Sequence, residues 1–291
     1  MSAPTLNLPL PLQSPPETAG HEVASVLIDH FARSPQPPDG HDAGSPALRS
    51  RLLARVAASR AAEATMLTAR RRRVPVQVLA AGVLAQTLYM ATGGQMLRPG
   101  EPLRVRVVEL AGGATLTPRQ LGAASQLRAR HREWLVLSGS ARHGNELLSQ
   151  RDYHVTPAGH DTPVWVAEGD ALLFLRESEH TGPAGTAPFT VRDADAGWPE
   201  FAPGIQRRVL WQFEGQAAML YHAQPGAQVP QHRHVHDEEC LMVQGELFLD
   251  DVLLQPGDYQ LAPAGTGHRV TASDTGVVIY AHGDLELKFV T

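Results

Sequence analysis

The sequence predicts a mainly β chain of two tandem β-barrels that follow a small α-helical N-terminal segment. Three observations support this fold class. Beyond Val74, short apolar runs alternate with glycine and proline, a texture typical of strands and tight turns. The β region repeats itself along the chain, and the residues before it carry apolar side chains at helical spacing. A chain of 291 residues, 43% of them hydrophobic, is long enough to bury the cores of two domains.

Composition and charge exclude several classes of protein. The formal net charge is −5, from 25 basic and 30 acidic residues, which gives no general attraction for nucleic acid or an anionic membrane. The single cysteine, Cys240, excludes an internal disulfide framework and a Cys-rich zinc finger, and it fits a reducing compartment. No apolar stretch approaches the length of about 18 residues that a membrane span needs. We therefore predict a cytoplasmic protein without direct contact to nucleic acid or membrane.

The N-terminal residues divide into an arm and two helices. Residues 1–20 contain five prolines and no hydrophobic periodicity, which predicts a disordered arm. Residues 21–33 carry one apolar stripe at helical spacing, which predicts a short helix. Ser45 and Pro46 have the N-cap and N1 residue types of a helix start, and the alanine- and arginine-rich stretch after them predicts a second helix over residues 47–70.

The predicted helical segment, residues 21–75, ends in the arginine run Arg70–Arg73. A nucleic-acid contact would need flanking basic or aromatic residues and a recognition element, and the sequence has neither. We interpret the run as the solvated end of the second helix, where positive charge is favourable at the negative pole of the helix dipole.

The β region contains two copies of one pattern at a constant offset of 106 residues. The matching pieces are Glu133–Gly139 with Glu239–Gly245, Asp152-Tyr153 with Asp258-Tyr259, and Pro157–Gly159 with Pro263–Gly265. Repeats of this kind fix the architecture, because each copy has to form the same unit. The sequence therefore predicts one barrel over residues 76–190 and a second over residues 200–291.

The second copy contains two blocks of residues that ligate metals. The blocks are Gly226-x5-His232-x-His234-x3-Glu238-x6-Gly245 and Gly257-x5-Pro263-x-Gly265-x2-His268. Alternation along a strand places His232 and His234 on one face, so that two imidazoles can converge inside a barrel. Glu238 adds a carboxylate across a tight connection, and His268 comes from a later strand. Three imidazoles and one carboxylate suit zinc, or iron, manganese or nickel with open positions.

These two blocks resemble those of the cupin superfamily at every expected position, which implies two double-stranded β-helix (jelly-roll) barrels. The helical line PALRSRLLARVAAS before a barrel with HxHx3E and PAGTGH is similar to the ChrR-type cupin anti-sigma factors. That resemblance implies zinc at His232, His234, Glu238 and His268. It also implies a helical module that holds an extracytoplasmic-function sigma factor inactive until oxidative stress.

The first copy lacks the ligand set. The positions that match His232, His234, Glu238 and His268 are Gln126, Arg128, Arg132 and Thr162. Nearby histidines do not reproduce the spacing and are interpreted as ordinary packed or solvated residues: His131, His143, His154 and His160. We therefore expect a first barrel without metal.

Several other residues are expected to lie close to the predicted ligands. His236 and Glu239 are expected to support the ligands from outside or to face solvent. Cys240 is either a small buried apolar residue, the favoured reading, or a thiol that senses oxidants. An apolar pocket for a small organic ligand is expected from four residues: Met242, Phe248, Tyr259 and Leu261.

Three functional hypotheses remain from the sequence. The first is a metal-dependent regulator whose helical segment binds a sigma factor, although residues 1–75 lack the cysteines with which the family's helical module binds its own zinc. The second is an iron- or manganese-dependent bicupin dioxygenase that acts on a small organic substrate. The third is a structural bicupin with an incidental metal. Barrels of this type commonly pair, so a homodimer is also expected.

Overall fold

The computed structural model describes residues 49–54, 57, 65–92, 97–179 and 186–290. The predicted arm over residues 1–20 and the predicted helix over residues 21–33 lie outside these ranges. Residues 49–54 are helical, in agreement with the second predicted helix. Both barrels belong to the compact unit Leu53–Thr291. No helix of the described residues is long and apolar enough to cross a membrane.

Twenty-five strands and two short helices make up the barrels in the described ranges. In the first half these are β1 (Leu67–Ala69), β2 (Gln77–Ala80), β3 (Val83–Met90), β4 (Pro102–Leu110), β5 (Thr115–Leu116), α1 (Pro118–Leu121), α2 (Ala124–Arg128), β6 (His131–Ser138), β7 (Ser140–His143), β8 (Glu146–Ser149), β9 (Tyr153–Thr156), β10 (Trp165–Ala167), β11 (Ala171–Ser178) and β12 (Phe189–Val191). In the second half they are β13 (Glu200–Ala202), β14 (Ile205–Phe213), β15 (Gln216–Ala223), β16 (Gln228–Val229), β17 (His232–Arg233), β18 (Glu238–Gly245), β19 (Leu247–Leu249), β20 (Val252–Leu254), β21 (Tyr259–Ala262), β22 (Gly267–His268), β23 (Thr271–Ala272), β24 (Val277–Asp284) and β25 (Lys288–Phe289).

Each barrel pairs a large sheet with a small one, which confirms the predicted mainly β fold of two tandem barrels. The first barrel has a seven-stranded sheet in the order β12-β9-β6-β11-β4-β3-β2 and a four-stranded sheet in the order β5-β10-β7-β8. The second has β1-β21-β18-β24-β15-β14-β13 and β16-β23-β19-β20, together with a three-stranded sheet β22-β17-β25. The strand orders correspond one to one, as the 106-residue repeat requires.

The two barrels exchange one strand in each direction. Strand β1 pairs with β21 of the second barrel, and β12 pairs with β9 of the first. Equivalent side-chain bonds fix both strands: Gln260 donates to the Thr68 hydroxyl at 3.1 Å, and His154 Nδ1 lies 2.9 Å from the Thr190 hydroxyl. The segment that precedes each barrel is therefore built into the sheet of the other barrel.

Three hydrophobic cores result from this architecture. One fills the first barrel, around Trp134 and Trp165, and one fills the second barrel, around Met242 and Leu254. The third lies between the large sheets and joins residues of both barrels, such as Leu135. Because both faces of strand β6 are covered, every residue from His131 to Leu137 is buried. The two barrels therefore share a continuous apolar interface.

The predicted end of the second helix, at residue 70, is wrong. Leu67–Ala69 form a strand and Arg71–Arg73 a 3-10 turn, so the helix stops before residue 67, inside the predicted helical segment 21–75. The arginines are not a solvated helix end either. Arg70 Nη1 lies 2.8 Å from Asp258 Oδ2, and the guanidinium of Arg71 pairs with the carboxylate of Glu109. Pairing with β21 and these ion pairs outweigh the helical propensity of the local sequence.

The first barrel contains a helical insertion where the second has strand β17. Thr117 and Gln120 form a reciprocal capping box with Pro118 at the first helical position, and helices α1 and α2 follow. Gln126 and Arg128 lie in α2, so the predicted match of these positions to His232 and His234 does not hold. The match of Arg132 to Glu238 does hold, because Arg132 faces Thr156 just as Glu238 faces Ala262, one offset of 106 apart.

A buried polar seam crosses the interface between the barrels. Arg176 donates to Glu133 Oε1 at 2.8 Å from Nη1 and to Glu239 Oε1 at 2.8 Å from Nε, and all three side chains are at most 1% exposed. Tyr153 and Tyr259 donate equivalently to Glu133 and Glu239, at 2.6 and 2.8 Å. The prediction that Glu239 supports the metal ligands or faces solvent is wrong. Its side chain points to the seam, opposite to that of its neighbour in the sequence.

One guanidinium shared between two buried carboxylates gives them different pKa values. Burial alone would raise the pKa of Glu133, but the nearby charges of Arg176, His282 and His131 lower it below its usual range. For Glu239, burial outweighs Arg176 and the pKa is raised. The two carboxyl groups therefore share one counter-charge, and Glu133 holds the ionised form more strongly than Glu239 does.

Candidate metal centre

The four predicted ligands come from three short segments at one end of the second barrel. Strand β17 carries His232, strand β18 begins at Glu238, and β22 ends at His268. In the ladder His232 lies directly opposite His268. Gly267 permits this close approach, since a Cβ there would lie 2.2 Å from the carbonyl oxygen of His232. The structure thus brings together residues that are 36 positions apart.

Ligand atoms of three of the four residues converge, and His268 approaches Glu238 from outside this group of three. One ligand atom each from His232, His234 and Glu238 lies within 4.8 Å of the others, the one such group among the described residues. Nε2 of His268 lies 3.7 Å from Glu238 Oε1, and Nε2 of His234 lies 3.4 Å from the same oxygen. The three imidazole centroids are 5.0 to 5.7 Å apart.

The outer nitrogens of His232 and His234 each have an acceptor. Nδ1 of His232 lies 3.0 Å from the carbonyl oxygen of Pro230. Nδ1 of His234 lies 3.3 Å from the Thr266 hydroxyl, whose proton is donated to the Pro263 carbonyl. A carbonyl oxygen, and a hydroxyl whose proton is already donated elsewhere, can only accept a hydrogen bond. Both histidines therefore carry their proton on Nδ1. The bare Nε2 lone pairs consequently face the centre.

Asp250 completes this outer layer at His268. Its Oδ2 lies 3.6 Å from His268 Nδ1, and its Oδ1 accepts the backbone N–H groups of Arg269 and Val270 at 2.8 and 3.2 Å. Burial by itself would raise the pKa of Asp250, but these bonds lower it, so the carboxylate stays ionised. The residue has φ = 53°, where the first barrel has Gly144 at the equivalent position with φ = 60°. The sequence-based prediction did not include Asp250. The available signal was that the second copy of the repeat has an acidic residue, Asp250, where the first copy has Gly144.

The donor set fits a divalent cation. Nε2 of His234 is buried without a hydrogen-bond partner among the described residues, and burial lowers the pKa of this imidazole, which favours the neutral form that ligates metals. Three lone pairs and a carboxylate that face each other repel unless a positive charge lies between them. These four side chains would hold the ion, which would supply Lewis acidity or a site for a small ligand.

A small apolar cavity of about 70 Å³ lies beside two of the four ligands, His232 and Glu238, inside the second barrel. Its lining includes His232, Glu238, Cys240, Met219 and Ile279. Burial and then the charge of Glu238 raise the pKa of the Cys240 thiol above its usual range, so this side chain is a protonated, apolar part of the wall. The favoured interpretation of Cys240 thus agrees with the geometry.

The predicted pocket residues are wrong. Tyr259 and Leu261 pack into the core between the barrels, and Phe248 is 37% exposed. Met242 is fully buried in the core of the second barrel but is not part of the cavity wall. The inward residues of β21 are the alternate ones, Gln260 and Ala262, because these lie opposite Cys240 and Glu238.

His236 lies outside the ligand cluster, as predicted. Its Nδ1 donates to Asp284 Oδ1 at 2.6 Å, and Asp284 Oδ2 accepts the N–H of Val235 at 2.6 Å. This pair fixes the loop between His234 and Glu238 from the solvent side.

Fold and site together define a bicupin with a candidate metal centre in its second barrel. Residues 186–286 match the family model described as the ChrR cupin-like domain. The second barrel is therefore similar to the ChrR cupin-like domain, and both barrels have the cupin fold. No curated protein matches the sequence.

Solved structures with the same fold come from several bacteria. A protein described as a "putative dioxygenase" from Nostoc punctiforme is 13% identical, with 78% of this chain and 87% of that chain covered and a TM-score of 0.58. The protein YlbA of E. coli is 15% identical, with 76% and 93% covered and a TM-score of 0.58. A variant of the oxalate decarboxylase OxdC of Bacillus subtilis is 15% identical, with 75% and 77% covered and a TM-score of 0.54. These similarities show the fold alone.

Proposed function

We propose that the protein is a cytoplasmic metal-dependent regulator in which the second barrel is the sensing element and the N-terminal segment binds a sigma factor. The observation that carries this proposal is the combination of a complete donor set with a very small cavity. At about 70 Å³ the cavity is about half the ~150 Å³ that holds a benzene ring in a protein core. A diketone or an aromatic substrate does not fit there unless the barrel opens.

A cavity of this size suits a signalling molecule of two or three atoms, such as an oxygen-derived oxidant. The match of residues 186–286 to the ChrR cupin-like domain supports the same proposal. The strand exchange supports a physical connection between the metal site and the N-terminal segment. Strand β1 follows the helical residues of that segment and is part of the sheet that carries Glu238. We propose zinc as the resident ion, since zinc has no redox chemistry of its own and suits a structural or sensing site.

The test is co-purification of the tagged full-length chain from its native cells. We expect recovery of an extracytoplasmic-function sigma factor with the wild-type chain, and altered release of that factor after oxidant treatment in His232→Ala. Recovery of the sigma factor only at the level of an untagged control contradicts the regulatory proposal.

A bicupin dioxygenase is the second candidate. The apolar wall beside an incompletely enclosed metal site favours it, as does the name of the Nostoc punctiforme neighbour. This activity would use iron or manganese with open coordination positions. Oxygen uptake by the iron-loaded chain with small diketones or aromatic compounds, absent in His234→Ala, would support it over the regulatory proposal.

A further inference from the structure

The small cavity inside the second barrel is lined by two sulfur-containing side chains. They are Met219 of strand β15 and Cys240 of strand β18. Both residues lie directly opposite Ala281 of strand β24, which runs between the other two strands. In the first barrel the equivalent positions hold Arg106 and Trp134. The sulfur atoms and the space beside them are therefore particular to the barrel that carries the candidate metal centre.

Met219 accepts a hydrogen bond at this cavity. The hydroxyl of Tyr221 donates to its Sδ at 3.5 Å. The two residues are two positions apart on β15, so both side chains project from the same face of the strand, and both line the cavity. A thioether is only a weak acceptor, and the phenol O–H is consequently able to form a stronger hydrogen bond if a better acceptor replaces the bare sulfur.

The cavity wall also contains a polar atom without a partner. The hydroxyl of Thr271 is buried and has no hydrogen-bond partner among the described residues. A buried hydroxyl of this kind calls for a partner such as a small polar molecule. One water needs about 10–15 Å³ of a cavity, so a volume of about 70 Å³ also has room for a molecule of two oxygen atoms, such as hydrogen peroxide.

A small molecule can reach Met219 although the side chain itself is only 2% exposed. The wall of the cavity includes Val229, Thr271 and Leu287, which are only half-buried, so the cavity extends toward the surface. Met242 differs in this respect, because it belongs to the core of the same barrel but not to the cavity wall. The fold thus distinguishes two buried methionines by their access to a small oxidant.

Met219 is also the sulfur side chain of the wall that reacts without losing a proton. A thiol such as Cys240 attacks a peroxide as its thiolate, whereas a thioether reacts in its neutral form. The product, methionine sulfoxide, is polar and carries an oxygen that accepts hydrogen bonds. The hydroxyl of Tyr221 already points at the sulfur and is placed to donate to that oxygen.

We propose that Met219 is an oxidation site for hydrogen peroxide that enters the cavity, with Tyr221 as the donor that stabilises the sulfoxide. One peroxide oxygen forms a bond to Sδ while the O–O bond breaks. The sulfur loses two electrons, and the other oxygen takes the proton of the transferred oxygen and leaves as water. The reaction places a polar group in an apolar wall shared with His232 and Glu238. This inference rests on the oxidant-sensing function proposed above and names the side chain that the oxidant modifies.

The test is peptide mass spectrometry of the full-length chain, supplied with zinc, during a time course with hydrogen peroxide. Zinc is used because it has no redox chemistry of its own. Met242 is the matched internal control, since both methionines are at most 2% exposed and only Met219 lines the cavity. We expect sulfoxide to form at Met219 at least tenfold faster than at Met242. Equal rates would mean that oxidation requires opening of the barrel and would overturn the proposal, as would oxidation of Cys240 in preference to Met219.

Tyr221→Phe keeps the aromatic ring and removes the hydroxyl, so the rate of oxidation at Met219 should fall about fivefold, the effect expected for one hydrogen bond. Met90, which is 66% exposed, should be oxidised at the same rate in both chains. An unchanged rate at Met219 would contradict the role of Tyr221. The comparison of Met219 with Met242 in the wild-type chain remains decisive if the variant does not fold. Neither measurement involves a sigma factor, so each of the two proposals can fail while the other stands.

Discussion

The two barrels share one register of strands but carry opposite charge chemistry at the same end. In the second barrel Glu238 and three imidazoles gather lone pairs and negative charge, an arrangement that suits a cation. In the first barrel Arg132 lies at the position of Glu238, and helices α1 and α2 replace the strand that carries His232. A repeated backbone thus fixes where a site can lie, while a few side chains decide whether a cation can bind there.

The interiors of the two barrels also differ in the size of their inward-facing side chains. Trp134 and Trp165 fill the centre of the first barrel, with ring centroids 5.0 Å apart. The equivalent of Trp134 in the second barrel is Cys240, whose smaller side chain leaves room for the cavity beside the ligands. A large aromatic residue at an inward position therefore separates a barrel that is filled at its centre from one with a chamber there.

Removal of one imidazole tests the comparison with the largest expected effect. His234→Ala deletes a ligand whose Nε2 has no other partner, so we expect the metal content after dialysis to fall from one ion per chain to nearly none. His143→Phe, in the first barrel, is the matched control and should retain the full content. Elemental analysis measures both. If the His234→Ala variant kept its metal and the His143→Phe variant lost it, the ion would lie in the first barrel.

The seam between the barrels gives the next largest effect. Arg176→Met leaves Glu133 and Glu239 as buried carboxylates without a counter-charge, and we expect a loss of about 3–5 kcal/mol in the free energy of unfolding. The control is Arg142→Met, whose pair with Glu168 is about half exposed on both sides and should contribute at most about 1 kcal/mol. Chemical denaturation measures both. Equal losses in the two variants would mean that the seam does not hold the barrels together.

The histidines of the first barrel predict a loss of stability in acid. His143 and His154 have lowered pKa values of about 3 and about 4 in the folded state, so the unfolded chain binds protons first as the pH falls below about 6.5. Each of these two histidines should therefore lower the free energy of unfolding by about 2 kcal/mol when the pH falls from 7.5 to 5.

His143→Phe should reduce this acid-induced loss by about 2 kcal/mol. Urea unfolding of metal-free protein separates this effect from metal release. An unchanged pH dependence in the variant would show that His143 is charged or solvated in the folded protein.

The outer partner of His268 gives the smallest effect. Asp250→Asn keeps the size of the side chain but removes the charge that orients Nδ1–H of His268. We expect metal affinity to fall about tenfold, the low end for such partners, because the 3.6 Å separation is longer than a close hydrogen bond. Competition with a chromophoric chelator measures the change. Asp251→Asn, at the next residue, should have no effect, and equal losses in both variants would exclude a specific role for Asp250.

The sequence predicted the second barrel and its four converging residues because their spacing and the flanking glycines follow local rules. It did not predict strand β1, since Leu67–Ala69 continue a helix-forming stretch and only the distant partner β21 makes them extended. The capping box at Thr117 and Gln120 was readable and indicates the helical insertion that displaces Gln126 and Arg128.

The cavity walls were harder to predict for a physical reason. Strands such as β21 are buried on both faces, so apolar residues occur at every position and alternation does not tell the barrel interior from the interface. Tyr259 and Leu261 were placed on the wrong face for this reason. Charge was the better guide: Arg132 in the place of Glu238 marks the difference between the barrels even where hydrophobic patterns agree.

The most direct test of the difference between the barrels is the metal stoichiometry of the wild-type chain, with the ion located by anomalous diffraction. We expect one divalent cation per chain, bound by His232, His234, Glu238 and His268, and no cation in the first barrel. A second ion near Arg132, or no ion among the three imidazoles at full metal supply, would contradict it.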